Sequence, residues 1–266
     1  MNNGTFGFGI IGAGMIAHVH AKAIGAIGNA TLVGLHSRGI EKMEAFASQH
    51  HCKAFHSLED MLADPAIDIV CICTPSGAHE DPTLQCIQAG KHCLVEKPLE
   101  VTLEKCDSII EASRQTGMKV GVIFPSRFYD QALLLKKAID DQKFGDIVLG
   151  DAYVKWHRSE AYYQSNPWRG TIALDGGGAL MNQGIHSVDL LQWYMGKVES
   201  VQAFAGNRRH KGIEVEDTVV AVLKFANGAM GNVSATRSGA VSNVSRAMVI
   251  GSMAYTVDGD QWQELK

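Results

Sequence analysis

The amino-acid sequence predicts an α/β domain built on a doubly wound parallel sheet, followed by an α+β domain with a mostly antiparallel, open sheet. Three observations carry this expectation. Strand and helix patterns alternate from Thr5 to Ile123, as repeated βα units with right-handed crossovers require. A glycine-rich turn, Gly12-Ala13-Gly14-Met15-Ile16-Ala17, separates the first strand from the first helix. Beyond Pro125 the chain reads as strands of antiparallel type, two of them joined by the turn Asn227-Gly228. The domains are therefore placed at 1–124 and 125–266.

Each element has its own warrant. Thr5 to Ile11 alternates small and apolar residues, as a buried strand does, and helical spacing follows to about Ile27. Thr31 to Ser37 is the second strand, and Ile40 to about His50 the second helix. Ser57-x-x-Asp60 is a capping signal for a short helix that stops near Asp64-Pro65. Ile67 to Cys73 is the next buried strand, broken by Thr74-Pro75-Ser76-Gly77. A helix from Ala78 to Ala89, a strand from His92 to Glu96, a helix capped by Thr102 and a strand from Lys119 to Ile123 complete the first half. The second half opens with a helix from Phe128 to Asp141. Strands are expected at Ile147 to Trp156, Val198 to Ala205, Thr218 to Phe225, Met230 to Thr236 and Arg246 to Ile250. One helix, Gly178 to Met195, lies between the first two of these strands, and a last hairpin turns at Asp258-Gly259.

The glycine turn has the chemistry of a dinucleotide site. Gly12 permits the tight turn, Gly14 lets a pyrophosphate approach the backbone, and Ala17 lets the helix pack closely on the strand. The N–H groups of Gly14, Met15 and Ile16 would face the phosphates at the positive end of the helix dipole. The carboxylate that commonly holds the adenosine ribose is absent. About twenty residues beyond the glycines stand His36-Ser37-Arg38. Ser37 and Arg38 can donate to a 2′-phosphate that a carboxylate would repel, so NADP is favoured over NAD.

Composition narrows the remaining classes. With 266 residues, 46% hydrophobic and 20% charged, the chain can bury one or two sizeable cores. A net charge of −4 offers no electrostatic case for nucleic acid or an anionic membrane. The basic cluster Arg208-Arg209-His210-Lys211 reads as a solvated hairpin end. No leader segment or membrane span is expected. Cys52, Cys71, Cys73, Cys86, Cys93 and Cys106 form no CxxC pair and suggest no metal site. They read as reduced thiols of a cytoplasmic protein, with Cys71 and Cys73 sharing one face of a core strand.

Four motifs taken in order resemble one family. They are the glycine turn, Cys73 to His79 (CTPSGAH), Ala89 to Leu99 (AGKHCLVEKPL) and Gly176 to Asp189 (GGGALMNQGIHSVD). Together they are similar to the glucose-fructose oxidoreductase, inositol dehydrogenase and MocA family across essentially the whole chain. The resemblance implies a nicotinamide-dependent oxidoreductase acting on a sugar, polyol or related carbonyl compound. It implies that Thr74, Pro75 and His79 flank the nicotinamide ribose and that Glu96 and Lys97 reach nicotinamide and substrate. Lys97 would be the active-site lysine and His186 the catalytic histidine, with Arg127, Trp168 and Arg169 on the substrate side. Asn182 stands where many members carry Asp.

Elementary chemistry is compatible with those roles. Asn182 and His186 are four apart on a predicted helix and share a face. A neutral His suits acceptance of a hydroxyl proton near neutral pH, and an ammonium group stabilises developing alkoxide charge. Taken singly, His186 and Lys97 would pass for ordinary packed or solvated residues, and Asn182 suits a structural hydrogen bond as well as a catalytic one. Three rival activities follow from the family: an NAD-dependent glycosidase, a non-catalytic cofactor-binding regulator, and an inactive enzyme. Family members usually continue well beyond Lys266, so the second domain is expected to be shortened. Both faces of Thr218 to Phe225 are largely apolar, and family members commonly pair through this sheet, so a homodimer or homotetramer is expected.

Overall fold

The computed structural model describes residues 4–238, 244–251, 255–258 and 261–264. The chain divides into two compact units, Met1–Ile123 and Phe124–Lys266.

The first unit contains, in order, β1 (Phe6–Ile11), α1 (Met15–Gly25), β2 (Ala30–His36), α2 (Ile40–His50), β3 (Lys53–Ala54) and α3 (Leu58–Ala63). It continues with β4 (Ile69–Ile72), α4 (Glu80–Gln88), β5 (His92–Val95), α5 (Leu103–Thr116) and β6 (Val120–Val122). The six strands are parallel in the order β3-β2-β1-β4-β5-β6, the doubly wound Rossmann arrangement. Strand order reverses beside β1, so the loops leaving β1 and β4 frame the crevice where such sheets bind ligands. Period-two alternation builds a core on each side of the sheet. Cys71 and Cys73 pack with Ile10, Leu35, Met43 and Phe46, whereas Val70 and Ile72 pack with Met61, Ile67 and Ile87 on the other side. Burial pushes the Cys71 thiol up to about 12, so it behaves as a small apolar side chain. All six cysteines are free thiols.

Local signals fix the helix starts. The Ser57 hydroxyl accepts the Asp60 N–H at 3.0 Å, and Thr102 accepts that of Lys105 at 3.4 Å; each supplies a partner for a donor the helix itself cannot satisfy. The two-residue β3 was not anticipated. It exists because Lys53 and Ala54 pair with Gly34 and Leu35 of β2, which no local pattern announces.

The second unit contains α6 (Asp130–Asp140), β7 (Ile147–Lys155), α7 (Glu160–Gln164), α8 (Ile185–Met195), β8 (Val198–Gly206), β9 (Thr218–Phe225), β10 (Met230–Thr236) and β11 (Val244–Gly251). A last pair, β12 (Tyr255–Asp258) and β13 (Gln261–Glu264), forms a separate two-stranded ribbon. The expected turn at Asp258-Gly259 falls there, with Gly259 outside the described residues. The five-stranded sheet runs β11-β7-β10-β9-β8, antiparallel except for the β7–β10 pair. One face carries Ala152, Ala221, Phe225 and Val233 into a core with Leu191, Tyr194 and Met195 of α8. Along β9, Val219, Ala221 and Phe225 are buried while Val220 and Val222 are exposed. No helix among the described residues is long and apolar enough to cross a membrane.

Two sequence expectations are corrected here. The helix expected from Gly178 to Met195 divides into one turn of π-helix, Ala179–Gly184, followed by α8. The basic cluster does end a hairpin, between β8 and β9, but His210 in it is 1% exposed. The cause is Asp217, whose carboxylate accepts the backbone N–H groups of Arg208, Arg209 and His210 and folds the loop inward. Burial would raise the Asp217 pKa; those three N–H groups and the Thr218 hydroxyl outweigh it and hold the carboxyl well below the usual carboxylate range.

Candidate functional site

In the first unit the glycine turn is shaped by contacts on both sides. Gly12 has φ +107° and donates its N–H to the His36 carbonyl at 2.8 Å. A Cβ at this position would lie 2.7 Å from the Cys73 carbonyl oxygen, so only glycine lets β1 turn against the end of β4. Gly14 is the N-cap of α1 and makes no side-chain cap, and a Cβ there would meet nothing within 4 Å. Met15 is 82% exposed, whereas Ala17 is fully buried. The first turn of α1 contains no acidic residue. An uncapped helix N-terminus with open space before it fits a pyrophosphate. Gly12, Gly14, Met15 and Ile16 are the residues that would hold a dinucleotide. At the end of β2 the His36 ring contacts the Phe55 carbonyl through Nδ1 at 2.9 Å. Ser37 next to it is half-buried, and Arg38 is exposed.

The loops after β4 and β5 are tied together. Thr74 donates its hydroxyl to the Ala78 carbonyl at 2.8 Å, and Pro75 leads into a 3₁₀ turn over Ser76–Ala78. His79 is 1% exposed, with its ring nitrogens 3.0 Å from the Thr74 carbonyl and 2.8 Å from that of Pro98. It braces the two loops from within. Glu96 is buried, with one oxygen 2.9 Å from His20 Nε2 of α1 and the other accepting the Lys97 N–H. Lys97 itself is half-buried and is joined to Pro98 by a cis peptide. Sequence reasoning missed Glu100, which is 4% exposed. Its carboxylate accepts the N–H groups of His79, Glu80 and Val101 and pairs with Lys105 at 3.2 Å.

In the second unit the π turn is held by a residue remote in sequence. The Glu216 side chain accepts the N–H groups of Gly178 and Leu180 at 2.8 and 3.0 Å, and its backbone carbonyl accepts that of Ala179. This clamp fixes the turn that carries Asn182 and delivers His186 to the start of α8. π turns of this kind are frequent where helices carry functional residues. Asn182 donates to Asp175, a carboxylate 1% exposed that also accepts the Gly170 N–H at 2.8 Å. His186 is half-buried and meets Phe124 edge-on at 6.2 Å between ring centroids.

The residues expected on the substrate side separate into two groups. Arg127 makes a two-pronged pair with Asp189, at 2.7 and 2.5 Å, and lies over the Trp193 ring at 5.5 Å. Its guanidinium therefore ties the segment before α6 to α8. The Arg169 guanidinium lies over both the Trp168 ring and the Tyr162 ring. Two further residues were not expected: Arg158, after β7, and Arg237, after β10. Arg237 is fully buried, donating to Gln183 and, at 3.0 Å, to the Tyr163 hydroxyl. No motif in the sequence marks either.

A Rossmann unit with an open glycine turn, followed by an open-sheet unit with a polar helix start, defines a dinucleotide-binding oxidoreductase. Comparison with known proteins agrees. Residues 6–124 match the oxidoreductase family with NAD-binding Rossmann fold, and residues 132–257 match the GFO/IDH/MocA C-terminal domain. The chain belongs to the Gfo/Idh/MocA family. It is 29% identical to inositol 2-dehydrogenase of Rhizobium meliloti over 93% of this chain and 74% of that enzyme. It is 28% identical to glucose-6-phosphate 3-dehydrogenase of Bacillus subtilis over 82% of this chain but only 62% of that enzyme's length. Among solved structures, the WlbA dehydrogenase of Bordetella pertussis, in complex with NADH and UDP-GlcNAcA, superposes with a TM-score of 0.92 at 33% identity, covering 100% of this chain and 79% of that one.

Proposed function

We propose that the protein is an NAD(P)-dependent dehydrogenase acting on a hydroxyl of a sugar, polyol or related compound, or on the corresponding carbonyl. The observation that carries this reading is the uncapped start of α1 behind Gly12 and Gly14, with open space where a side chain would otherwise stand. Bound there, a nicotinamide cofactor supplies the hydride acceptor. The chain supplies the rest. His186 takes the hydroxyl proton as the carbonyl forms, and Lys97 places positive charge against the oxygen as it becomes anionic. Asp175 accepts a hydrogen bond from the Asn182 amide, which orients that amide beside the helix start. Thr74, Pro75, His79 and Glu96 shape the nicotinamide side of the first unit. Assaying a panel of sugars, polyols and nucleotide-sugars for NADP and NAD reduction tests the proposal; no reduction with any of them would refute it.

NADP is the proposed cofactor because Ser37 and Arg38 follow β2 where a ribose-binding carboxylate would exclude a 2′-phosphate. Arg38 is exposed and free to fold over that group. Arg38→Ala is expected to weaken NADPH binding by a factor of roughly tens, with little change for NADH. Fluorescence titration of both cofactors checks this. Equal losses would show that Arg38 does not serve the 2′-phosphate.

A homodimer or homotetramer through the second-unit sheet completes the proposal. The face of that sheet turned away from α8 leaves Phe204 88%, Val220 53%, Val222 56% and Met230 64% exposed. Large apolar side chains exposed to this degree on one face favour burial against another copy. Val222→Glu is expected to shift the assembly toward monomer in light scattering at micromolar concentration. A wild-type protein that scatters as a 28.7 kDa monomer would rule the interface out.

A further inference from the structure

We infer that the second unit contains an oxyanion site formed by Arg158, Arg169 and Arg237 around Tyr162, and that it takes a carboxylate or phosphate group carried by the substrate. The guanidinium carbons of these three arginines lie 4.9, 4.1 and 5.9 Å from the centroid of the Tyr162 ring. Each also rests on a second aromatic ring: Trp156 at 5.1 Å for Arg158, Trp168 at 5.0 Å for Arg169 and Tyr163 at 5.5 Å for Arg237. Among the described residues, no carboxylate forms an ion pair with any of the three. Three positive charges thus converge on one phenol ring with no paired carboxylate among the described residues.

On the three arginines and Trp156 the unmet hydrogen-bonding capacity is that of donors. Arg158 Nε, Arg169 Nε, Arg237 Nη2 and the Trp156 indole N–H are all buried without an acceptor. All four are donors. The buried carboxylates of this unit are committed elsewhere. Asp175 accepts from Gly170 and Asn182, while Asp217 accepts from three backbone N–H groups and Thr218. Aromatic faces offset part of the cost of bringing like charges together. They cannot neutralise a guanidinium that is 0% exposed, as Arg237 is. An ordered water could fill a hydrogen bond but would leave the charge standing. An oxyanion satisfies both, and the planar forks of Arg158 and Arg169, which are half-exposed, suit a carboxylate or a phosphate. Arg237 would act from behind them through its field.

The site is also joined to the proposed catalytic turn. Arg237 Nε donates to Gln183 Oε1, and Gln183 Nε2 donates to Asn182 Oδ1 at 3.0 Å. One sugar could therefore offer its anionic group to the arginines and its hydroxyl to the turn bearing Asn182 and His186. The assignment of this anion to the substrate rests on the dehydrogenase reading; the convergence of charge does not.

The test is isothermal titration at constant ionic strength with NADPH saturating the glycine turn, so that phosphate cannot bind there. Because the cofactor is already reduced, a hydroxyl ligand is not turned over and the heats report binding alone. Glucose, glucuronate and glucose 6-phosphate are the probes. At least one anionic sugar is expected to bind about tenfold more tightly than glucose. Which one does so tells a carboxylate site from a phosphate site. Arg158→Gln and Arg169→Gln should each remove most of the difference while leaving NADPH affinity as in wild type. Equal affinity for all three sugars, or a preference that survives in the double variant, overturns the site. If the preference is present but no hydroxyl compound reduces NADP or NAD, the dehydrogenase reading fails and the anion site stands.

Discussion

His186→Ala is expected to lower turnover on the best substrate by roughly 10²-fold or more while NADPH affinity stays near wild type. The argument is one of roles. Loss of a positioned base removes an interaction made only as the hydroxyl proton departs, so it should appear in the rate and spare ground-state binding. His186 lies in the first turn of α8 and is not among the residues proposed to hold the cofactor, so its removal leaves those proposed contacts in place. Lys97→Ala should also reduce turnover. Because Lys97 adjoins Glu96, which is tied to α1 through His20, that variant should disturb cofactor binding as well. Steady-state rates and cofactor titrations on both variants separate the two effects. A His186 variant that keeps most of its activity would move the acid/base role to another residue.

What was legible in the sequence follows from how local its causes are. The turn from β1 into α1 is written in adjacent residues, and so are the caps at Ser57 and Thr102. The split of β9 into a buried set led by Val219 and Ala221 and an exposed set with Val220 and Val222 needs only the pleat. The features that escaped are made by partners far apart in the chain. Glu216 wraps Gly178 and Leu180 from 38 and 36 positions away and turns an expected helix into a π turn. Asp217 draws His210 into the interior, reversing its expected exposure. Arg237 closes on Tyr163 from 74 positions away, and nothing near Arg237 in the sequence announces a buried charge. The candidate site divides in the same way. Gly12, Gly14, Lys97, Asn182 and His186 belong to motifs, whereas Asp175, Glu216 and Arg237, which hold some of them in place, carry no motif.

The Glu216 clamp leads to the largest expected effect on folding, at Gly178. What a side chain at this position meets first is a lack of space. A Cβ on Gly178 would lie 1.6 Å from the Glu216 carbonyl oxygen and 2.6 Å from its carbon. Neither atom can give way cheaply. The same carbonyl accepts the Ala179 N–H at 2.9 Å, and the next residue, Asp217, anchors the β8–β9 loop. Overpacking against fixed backbone costs about 3 kcal/mol or more. Gly178→Ala should therefore lower the unfolding midpoint of the second unit by roughly 10 °C. Any folded fraction should also turn over slowly, because relief of the clash requires the turn bearing Asn182 to move. Gly212→Ala, in the same unit, is the control: a Cβ there would meet nothing within 4 Å. Thermal melts and steady-state rates for the two variants should differ widely. A Gly178→Ala protein that melts and turns over like Gly212→Ala would mean that Glu216 does not set the position of the helix start.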